Sequence, residues 1–299
     1  MFTFNKLRQA YDNSKVIPFN DASRFVIMSD MHRGDNSFSD EFAPNQNIFL
    51  HAVNYYYENG FELIENGDGD ELWEHSKFEY IYYAHQDVFS VYQKFHEKQR
   101  LHIIYGNHNA QLKYPDVVEK TFDTAHDPYT DQRVEFMPGL EVHEGIRLRY
   151  EDFGKDIFIV HGHQGDTMND TLWRFSHFMM RFVWKYLHII GFRNPASPAK
   201  SIVKRHRIER KYRRWIERTD QVMVVGHTHR PKFSQPEELA YFNAGSAVRP
   251  RVITAIEIVG GTISLVEWRI WPNIKGLLQV NRRVLDGPVA VSKYMYSQR

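Results

Sequence analysis

The chain has no cysteine among its 299 residues. A disulfide framework, a thiolate zinc site, an iron–sulfur cluster and a catalytic thiol are therefore excluded. Net charge is also nearly absent, because Lys+Arg 38 against Asp+Glu 37 leaves a formal charge of +1. Proteins built around nucleic acid usually carry a basic excess, so we expect no nucleic-acid partner. Any metal must be held by nitrogen and oxygen atoms, and the chain offers 16 histidines.

Long apolar segments are missing as well. No apolar run approaches the roughly 20 residues that a membrane-spanning helix needs. Residues 1–20 contain charged side chains and lack the apolar core of a secretory signal. The expected location is therefore the cytoplasm. Apolar residues make up 42% and charged residues 25%, which is typical of a globular protein with a sizeable core.

Short apolar runs that stop at polar residues are the recurring feature of the chain. These runs are Arg24–Asp30, Phe61–Asp68, Leu101–Asn107, Asp156–His161 and Gln221–His227. Continuous apolar character predicts strands buried on both faces, and helix-compatible stretches such as Asn47–Glu58 and Phe78–Lys98 separate the first three. The pattern indicates an α/β sheet.

The C-terminal third has a different pattern. Ala240–Ala247, Val252–Val259 and Thr262–Trp268 are predicted strands, mainly antiparallel, with a tight turn at Gly260-Gly261. Two packed sheets with helices outside accommodate both halves. We expect a single domain over residues 1–280, a helical insertion at about 166–219, and a loosely held tail over 281–299.

Chemically useful side chains stand at the end of each of the five runs. They are Asp30-Met31-His32, Gly67-Asp68, Gly106-Asn107-His108, His161-Gly162-His163 and Gly226-His227-Thr228-His229. Ligands of open α/β sheets bind beyond the carboxyl ends of the strands, so these tips should converge. Any one of them alone is more often a turn or a satisfied core group. Together they supply carboxylate, amide and imidazole ligands suited to Mn, Fe or Zn.

These five motifs, in this order, resemble the signature of the calcineurin-like metallophosphoesterases: D-x-H, G-D-x-x-[DE], G-N-H-[DE], an isolated His, and G-H-x-H. The resemblance spans roughly Arg24 to Trp268. It implies an α/β fold, a four-layer αββα sandwich of two mixed β-sheets, with two divalent metal ions, manganese first and iron or zinc as alternatives. The implied ligands are Asp30, His32 and His229 for the first ion, Asn107, His161 and His227 for the second, and Asp68 bridging both.

The resemblance also implies a reaction, hydrolysis of a phosphate ester by a metal-bridging hydroxide, with His108 as general acid. Asp70 is the alternative to Asp68 as bridge, but Asp68-x-x-Glu71-x-Trp73 fits the family's usual continuation. His163 competes with His161, which follows its strand directly. We expect His163 to contact a metal-ligating side chain and not to bind a metal ion itself.

Asn109 departs from the family pattern, which usually has Asp or Glu there. The change removes a carboxylate that often orients the catalytic histidine. We therefore expect the side chain of His108 to be oriented differently from its counterpart in the family. The rest of the site should stay intact.

Two further patterns resemble one branch of the family, the UDP-2,3-diacylglucosamine pyrophosphatases. They are Gly226–Pro231 and Gly67–Trp73. That branch carries a helical cap before the final G-H-x-H, for which Thr171–Phe192 is the candidate, although an ordinary packed helix is the favoured interpretation. The polar stripe of Thr171–Phe192 consists of Arg174, His177, Arg181, Lys185 and His188. The branch has Arg where this chain has His108, so a lipid-linked or nucleotide pyrophosphate is the alternative to a phosphate monoester or diester.

The segment from Arg193 to Arg218 is strongly basic. Ten Lys or Arg against Glu209 and Glu217 leave +8. This segment has three interpretations: a solvated helix face, attraction of a polyphosphate substrate, or peripheral contact with an anionic membrane surface. Substrate attraction is favoured. A non-catalytic scaffold is disfavoured because no ligand of the signature is missing, and a nuclease because of the near-neutral charge. The oligomeric state is not predicted.

Overall fold

Two mixed β-sheets, packed face to face, form the centre of the molecule. The computed structural model describes residues 2–75, 77–127, 130–151, 153, 155–164 and 202–296. Within this part of the chain the helices are α1 (Phe2–Asp12), α2 (Gln46–Glu58), α3 (Phe78–Ala84), α4 (Gln86–Glu97), α5 (Pro115–Phe122), α6 (Ile202–Thr219) and α7 (Ser292–Met295). The strands are β1 (Lys15–Phe19), β2 (Arg24–Met28), β3 (Glu62–Asn66), β4 (Leu101–Ile104), β5 (Thr124–Asp127), β6 (Gln132–Glu135), β7 (Val142–His143), β8 (Gly145–Tyr150), β9 (Asp156–Val160), β10 (Val222–Val225), β11 (Tyr241–Asn243), β12 (Val252–Val259), β13 (Thr262–Pro272) and β14 (Leu278–Ala290).

One sheet has the strand order β1-β8-β9-β10-β11 and the other has the order β14-β13-β12-β2-β3-β4-β7. In the larger sheet, β2, β3, β4 and β7 are parallel, whereas β12, β13 and β14 run antiparallel. In the smaller sheet only the pairing of β8 with β9 is antiparallel. The strands β5 and β6 form a separate hairpin. Both sheets are mixed, as the sequence predicted.

Alternation along the strands produces the four layers. Ile157 and Ile159 of β9 point into the core between the two sheets, which also contains Ile27 of β2. Phe158 and Val160 of the same strand pack against α1 and α6 on the outside. Val26 and Met28 of β2 pack against the helices on the other outer face. Strands buried on both faces explain the continuous apolar runs, and the predicted αββα sandwich is confirmed.

The structure corrects two local expectations. The predicted helix Phe78–Lys98 consists of α3 and α4, which meet at His85. The buried His85 ring contacts Asp40 at 2.9 Å and Gln46 at 3.0 Å, and these tertiary contacts accompany the break in the helix. The strand β11 lies in the C-terminal third but pairs in parallel with β10, so that third is divided between the two sheets.

The expected loose tail over 281–299 is wrong for residues 281–296, the part of it that the structure describes. Residues 281–290 continue β14, which pairs antiparallel with β13 over its whole length. The short helix α7 then buries Tyr294 and Met295 against the core between the sheets. The sequence pattern missed this strand because β14 is an edge strand held mainly by backbone pairing, with most of its side chains exposed.

The predicted insertion is described only in its last part. Thr171–Phe192 and the other residues between 165 and 201 lie outside the described residues. The helix α6 buries Ile208, Tyr212 and Trp215 against the smaller sheet and turns most of its basic side chains outward. Among the helices that the structure describes, none combines the length and the apolar character needed to cross a bilayer.

Candidate metal centre

The five strand tips meet at one edge of the two sheets. The loops after β2, β3 and β4 come from the larger sheet, and those after β9 and β10 come from the smaller one. Among the described residues, three groups of side chains have ligand atoms close enough to share an ion. Two of them, which we call the ligand groups, consist of predicted ligands: Asp30, His32 and His229 in the first, and Asp68, His161 and His227 in the second. The third consists of His32, Glu71 and His108. The predicted ligands are therefore brought together, with Asn107 buried in the loop after β4.

The backbone at this edge is unusually strained. Five of the predicted ligands have a positive φ, namely Asp30 (56°), His32 (50°), Asp68 (51°), His227 (62°) and His229 (53°). Each such non-glycine residue costs about 1–3 kcal/mol, so the surrounding structure must hold it. Backbone hydrogen bonds between the loops do so, from the Asp30 N–H to the Gly67 carbonyl (3.1 Å) and from the His32 N–H to the Asp68 carbonyl (2.8 Å). Strain of this kind clusters at functional sites.

Glycines in two motifs give these loops the room they need. A Cβ on Gly67, whose φ is +80°, would lie 2.4 Å from the His161 ring. A Cβ on Gly106 would lie 2.1 Å from the Asp68 carboxylate. The G-D and G-N-H motifs therefore contain glycine because a side chain there would collide with a predicted ligand.

In the first group, the three ligand atoms face one another. The His229 Nε2 atom lies 3.1 Å from Asp30 Oδ1 and 3.3 Å from His32 Nε2. The other Asp30 oxygen, Oδ2, already accepts hydrogen bonds from the Ser29 hydroxyl (2.6 Å) and the His227 N–H (2.8 Å). Oδ1 is thus left for the space between the two imidazoles.

Asp68 lies between the two groups. Its Oδ2 atom is 3.1 Å from His161 Nε2 in the second group and 3.8 Å from His32 Nε2 in the first. Its Oδ1 atom accepts the backbone N–H of His108 at 2.8 Å, which fixes the plane of the carboxylate. One oxygen of a fully buried carboxylate therefore faces both groups.

The donor set fits divalent cations. Within the described residues, several buried atoms of the predicted ligands make no hydrogen bond of normal geometry, among them Asp30 Oδ1, Asn107 Oδ1 and His161 Nε2. Buried polar atoms are normally satisfied, and a cation would satisfy all three. The His161 Nδ1 atom contacts the Asn66 carbonyl at 2.8 Å, so this nitrogen carries the proton and Nε2 offers its lone pair. Oxygen and imidazole ligands suit Mn, Fe or Zn.

Glu71 lies between two histidines of the site, a contact that the sequence did not predict. Its Oε2 atom lies 2.6 Å from His108 Nδ1 and 3.0 Å from His32 Nδ1. The ring of His108 also stacks on Trp73, with centroids 4.2 Å apart and an angle of 23° between the planes. His108 is thus oriented with its Nε2 atom away from Glu71. In the sequence, Glu71 could have been found as the last position of the G-D-x-x-[DE] motif.

Glu71 also changes the interpretation of Asn109. The sequence suggested that Asn109 deprives the catalytic histidine of an orienting carboxylate. In the structure Glu71 supplies that carboxylate, and the Asn109 Oδ1 atom instead accepts the Gly106 N–H at 2.6 Å. This bond closes the turn after β4, a task that needs an acceptor but no charge.

The two alternative residues have different surroundings. Asp70 accepts a hydrogen bond from the Arg33 guanidinium at 2.8 Å, and the same guanidinium donates to Glu65 at 2.9 Å. Asp70 is therefore part of a buried ion network and belongs to neither ligand group. The ring of His163 lies 5.5 Å from that of His161 and is also outside both groups. Asp68 as bridge and His161 as ligand remain the predictions.

The charges of the site perturb one another strongly. Burial raises the pKa of Asp30, but His229 and His161 outweigh it and lower the pKa to about 2. Burial lowers the pKa of His32, but the hydrogen bond to Glu71 and the charge of Asp68 outweigh it and raise the pKa to about 10. In His161 the charges of Asp68 and Asp30 likewise overcome burial and raise the pKa to about 9.

We expect metal binding to release protons and to strengthen with pH. The pKa of His32 near 10 and that of His161 near 9 keep both rings protonated at neutral pH, whereas a metal ligand must be neutral. Affinity for Mn²⁺ should therefore rise with pH until about pH 9 to 10, by up to about tenfold per unit for each proton released. Calorimetric titrations in buffers of different ionisation enthalpy measure the released protons. Heats that do not depend on the buffer would contradict the prediction.

Two stacked mixed sheets with Asp and His groups at their carboxyl edge define the metallophosphoesterase fold. The chain belongs to the calcineurin-like phosphoesterase superfamily, because the model of the Calcineurin-like phosphoesterase superfamily domain matches residues 24–263. This family uses divalent metals, and the two Asp and His groups are suited to bind them.

Solved structures with a similar fold come from several organisms. A predicted phosphoesterase from Streptococcus pneumoniae TIGR4 is 15% identical, with a TM-score of 0.33, over 87% of this chain and 98% of that one. Vps29 from Entamoeba histolytica, complexed with zinc, is 14% identical, with a TM-score of 0.37, over 88% and 99%. A cold-active protein-tyrosine phosphatase from Shewanella sp. is 11% identical, with a TM-score of 0.38, over 92% and 84%. No curated protein sequence matches the chain.

Proposed function

We propose that the protein is a dinuclear metal-dependent phosphoesterase. The observation that carries the proposal is the position of Asp68, whose Oδ2 atom lies 3.1 Å from His161 Nε2 and 3.8 Å from His32 Nε2. A carboxylate between two groups of nitrogen and oxygen ligands suits two ions that share it. Two bound divalent ions, with manganese as first choice and iron or zinc as alternatives, would supply Lewis-acid charge and lower the pKa of water to about 7.

The proposed role of His108 is that of a general acid. Its Nδ1–H is held by Glu71, so the proton that moves is on Nε2. As the bond between phosphorus and the leaving oxygen breaks, Nε2 gives its proton to that oxygen. The negative charge of Glu71 favours the imidazolium form before the transfer, and stacking on Trp73 keeps the ring in place.

The proposed substrate is a phosphate monoester or diester. His108 favours this class, because the pyrophosphatase branch has Arg at that position. A lipid-linked or nucleotide pyrophosphate is the second candidate, favoured by the patterns Gly226–Pro231 and Gly67–Trp73. The phosphate-containing partner, the attraction of substrate by the basic helix α6 and the cytoplasmic location stay predictions.

A direct assay separates the enzyme from a non-catalytic scaffold. Protein purified with Mn²⁺ should contain about two ions per chain and hydrolyse an aryl phosphate monoester or diester. Removal of the metal by a chelator should abolish the activity, and addition of Mn²⁺ should restore it. This result would show that the activity depends on the metal site. A protein with well under one ion per chain, and without turnover with Mn²⁺, Fe²⁺ or Zn²⁺, would instead be a scaffold.

A further inference from the structure

The hairpin of β13 and β14 ends in an exposed apolar tip, which we define as residues 271–278. The exposed fractions of its apolar side chains are 55% for Trp271, 102% for Ile274, 62% for Leu277 and 72% for Leu278. Single exposed apolar residues are normal on protein surfaces, but a continuous group usually marks an interaction site.

The tip is an ordered turn. The Asn273 N–H donates to the Leu277 carbonyl at 2.8 Å, and the Gly276 N–H donates to the Asn273 carbonyl at 2.9 Å. The Asn273 side chain accepts the backbone N–H groups of Lys275 (2.9 Å) and Leu277 (3.0 Å). These four bonds fix the conformation of the turn, and the side chains of Ile274 and Leu277 are exposed on it.

The tip projects from the same edge of the sheet as the candidate metal centre. Register places Ile27 of β2 level with Ile256, and Ile256 level with Leu265 of β13. The strand β13 continues from Leu265 to Pro272, roughly 20 Å further at the usual rise per residue. The ligand loop after β2 begins at this same edge, so the tip extends past the edge at which the ligand groups lie.

The surroundings of the tip are basic. The sequence from Arg269 to Leu285 contains Arg269, Lys275, Arg282 and Arg283 and no acidic residue. Arg282 contacts Glu257, and Arg269 and Arg283 both contact Glu267, so these three guanidinium groups are paired with carboxylates on β12 and β13. Arg249 and Arg251 are exposed just before Val252, which pairs with Arg269. Cations thus lie on the tip and at its base.

We propose that the tip docks on an anionic lipid bilayer. Exposed aliphatic side chains with an adjacent Trp suit the boundary between headgroups and acyl chains. A Lys or Arg near an anionic surface adds electrostatic attraction, and the sequence of the tip carries Lys275 and no acidic residue. Docking through the tip turns the carboxyl edge of the sheets, and with it the candidate metal centre, toward the membrane surface. This docking does not depend on the proposed hydrolysis.

Sedimentation with vesicles tests the docking. The full-length protein should pellet with phosphatidylcholine vesicles that contain phosphatidylglycerol. The double variant Ile274→Ser and Leu277→Ser should lose roughly tenfold or more in partitioning, and Lys275→Gln roughly fivefold. Phe2→Ser and Lys98→Gln are the controls, since Phe2 is 50% exposed at the start of α1 and Lys98 is also exposed, and both should bind like the unchanged protein.

Fluorescence locates the contact. Trp271 is half exposed on the tip, whereas Trp73, Trp215 and Trp268 are buried in the protein. Among the tryptophans that the structure describes, Trp271 should therefore be the one whose emission is quenched by vesicles that contain brominated lipids. The variant Trp271→Phe keeps an aromatic side chain on the tip and should show less quenching than the unchanged protein.

Three results would overturn the proposal. The first is unchanged protein that does not pellet with anionic vesicles, and the second is quenching that persists undiminished in Trp271→Phe. The third is a set of tip variants that change the oligomeric state, measured by light scattering, and leave vesicle binding as it was. In that case a second copy of the chain, rather than a bilayer, would cover the tip.

Discussion

The variant Asp68→Asn should lose both metal ions and nearly all activity. Asp68 is fully buried, and its Oδ2 atom faces His161 in one ligand group and His32 in the other. An amide keeps the shape but loses the charge that two shared cations need. We expect activity to fall roughly a thousandfold or more, equal to about 4 kcal/mol of transition-state stabilisation. Metal analysis by mass spectrometry and steady-state kinetics measure the two effects.

Asp70→Asn is the matched control, because it makes the same chemical change two positions away. Asp70 is equally buried but contacts Arg33. We expect this variant to keep its metal content and to lose about 3 kcal/mol of unfolding free energy, since a buried guanidinium loses part of its compensation. Chemical denaturation measures that loss. If Asp70→Asn lost the metals and Asp68→Asn kept them, the bridging role would belong to Asp70.

The variant His108→Ala should keep its metals and lose about 10²- to 10⁴-fold in kcat, the usual contribution of a general acid. The companion variant Glu71→Gln should shift the pH profile. Burial lowers the pKa of His108, but the charges of Glu71 and Asp68 outweigh it and raise that pKa. Without the charge of Glu71 the pKa falls, so the protonated form is lost at lower pH. The alkaline limb of the rate profile should therefore move to lower pH.

The pH dependence of the rate distinguishes an effect of Glu71 on the pKa of His108 from a purely structural role of Glu71. Glu71 also contacts His32, so Glu71→Gln should be assayed with excess Mn²⁺ to keep the site loaded. Glu62→Gln is the control, because Glu62 contacts His102 at 2.8 Å in a similar pair outside both ligand groups. Its pH profile should match that of the unchanged protein. A Glu71→Gln profile that only drops in height, with no shift, would mean that Glu71 merely supports the fold.

The fold could be predicted from the sequence wherever local pattern decides the structure. The apolar runs at Arg24–Asp30 and Asp156–His161 became β2 and β9 because strands buried on both faces need uninterrupted apolar residues. The edge strand β14 was missed, since backbone pairing with β13 needs no apolar side chains. The break between α3 and α4 was missed as well, because it coincides with contacts of His85 to distant residues.

The sequence by itself determined which residue types stand at the strand tips, and therefore the kind of ion and chemistry that the site can support. Only the tertiary structure decided what each of these side chains faces. Arg33 lies 37 positions from Asp70 and holds it in the ion network, while Glu71 turns toward both His32 and His108. These are contacts between separate loops. Their geometry depends on how the strands stack, which motif spacing does not specify.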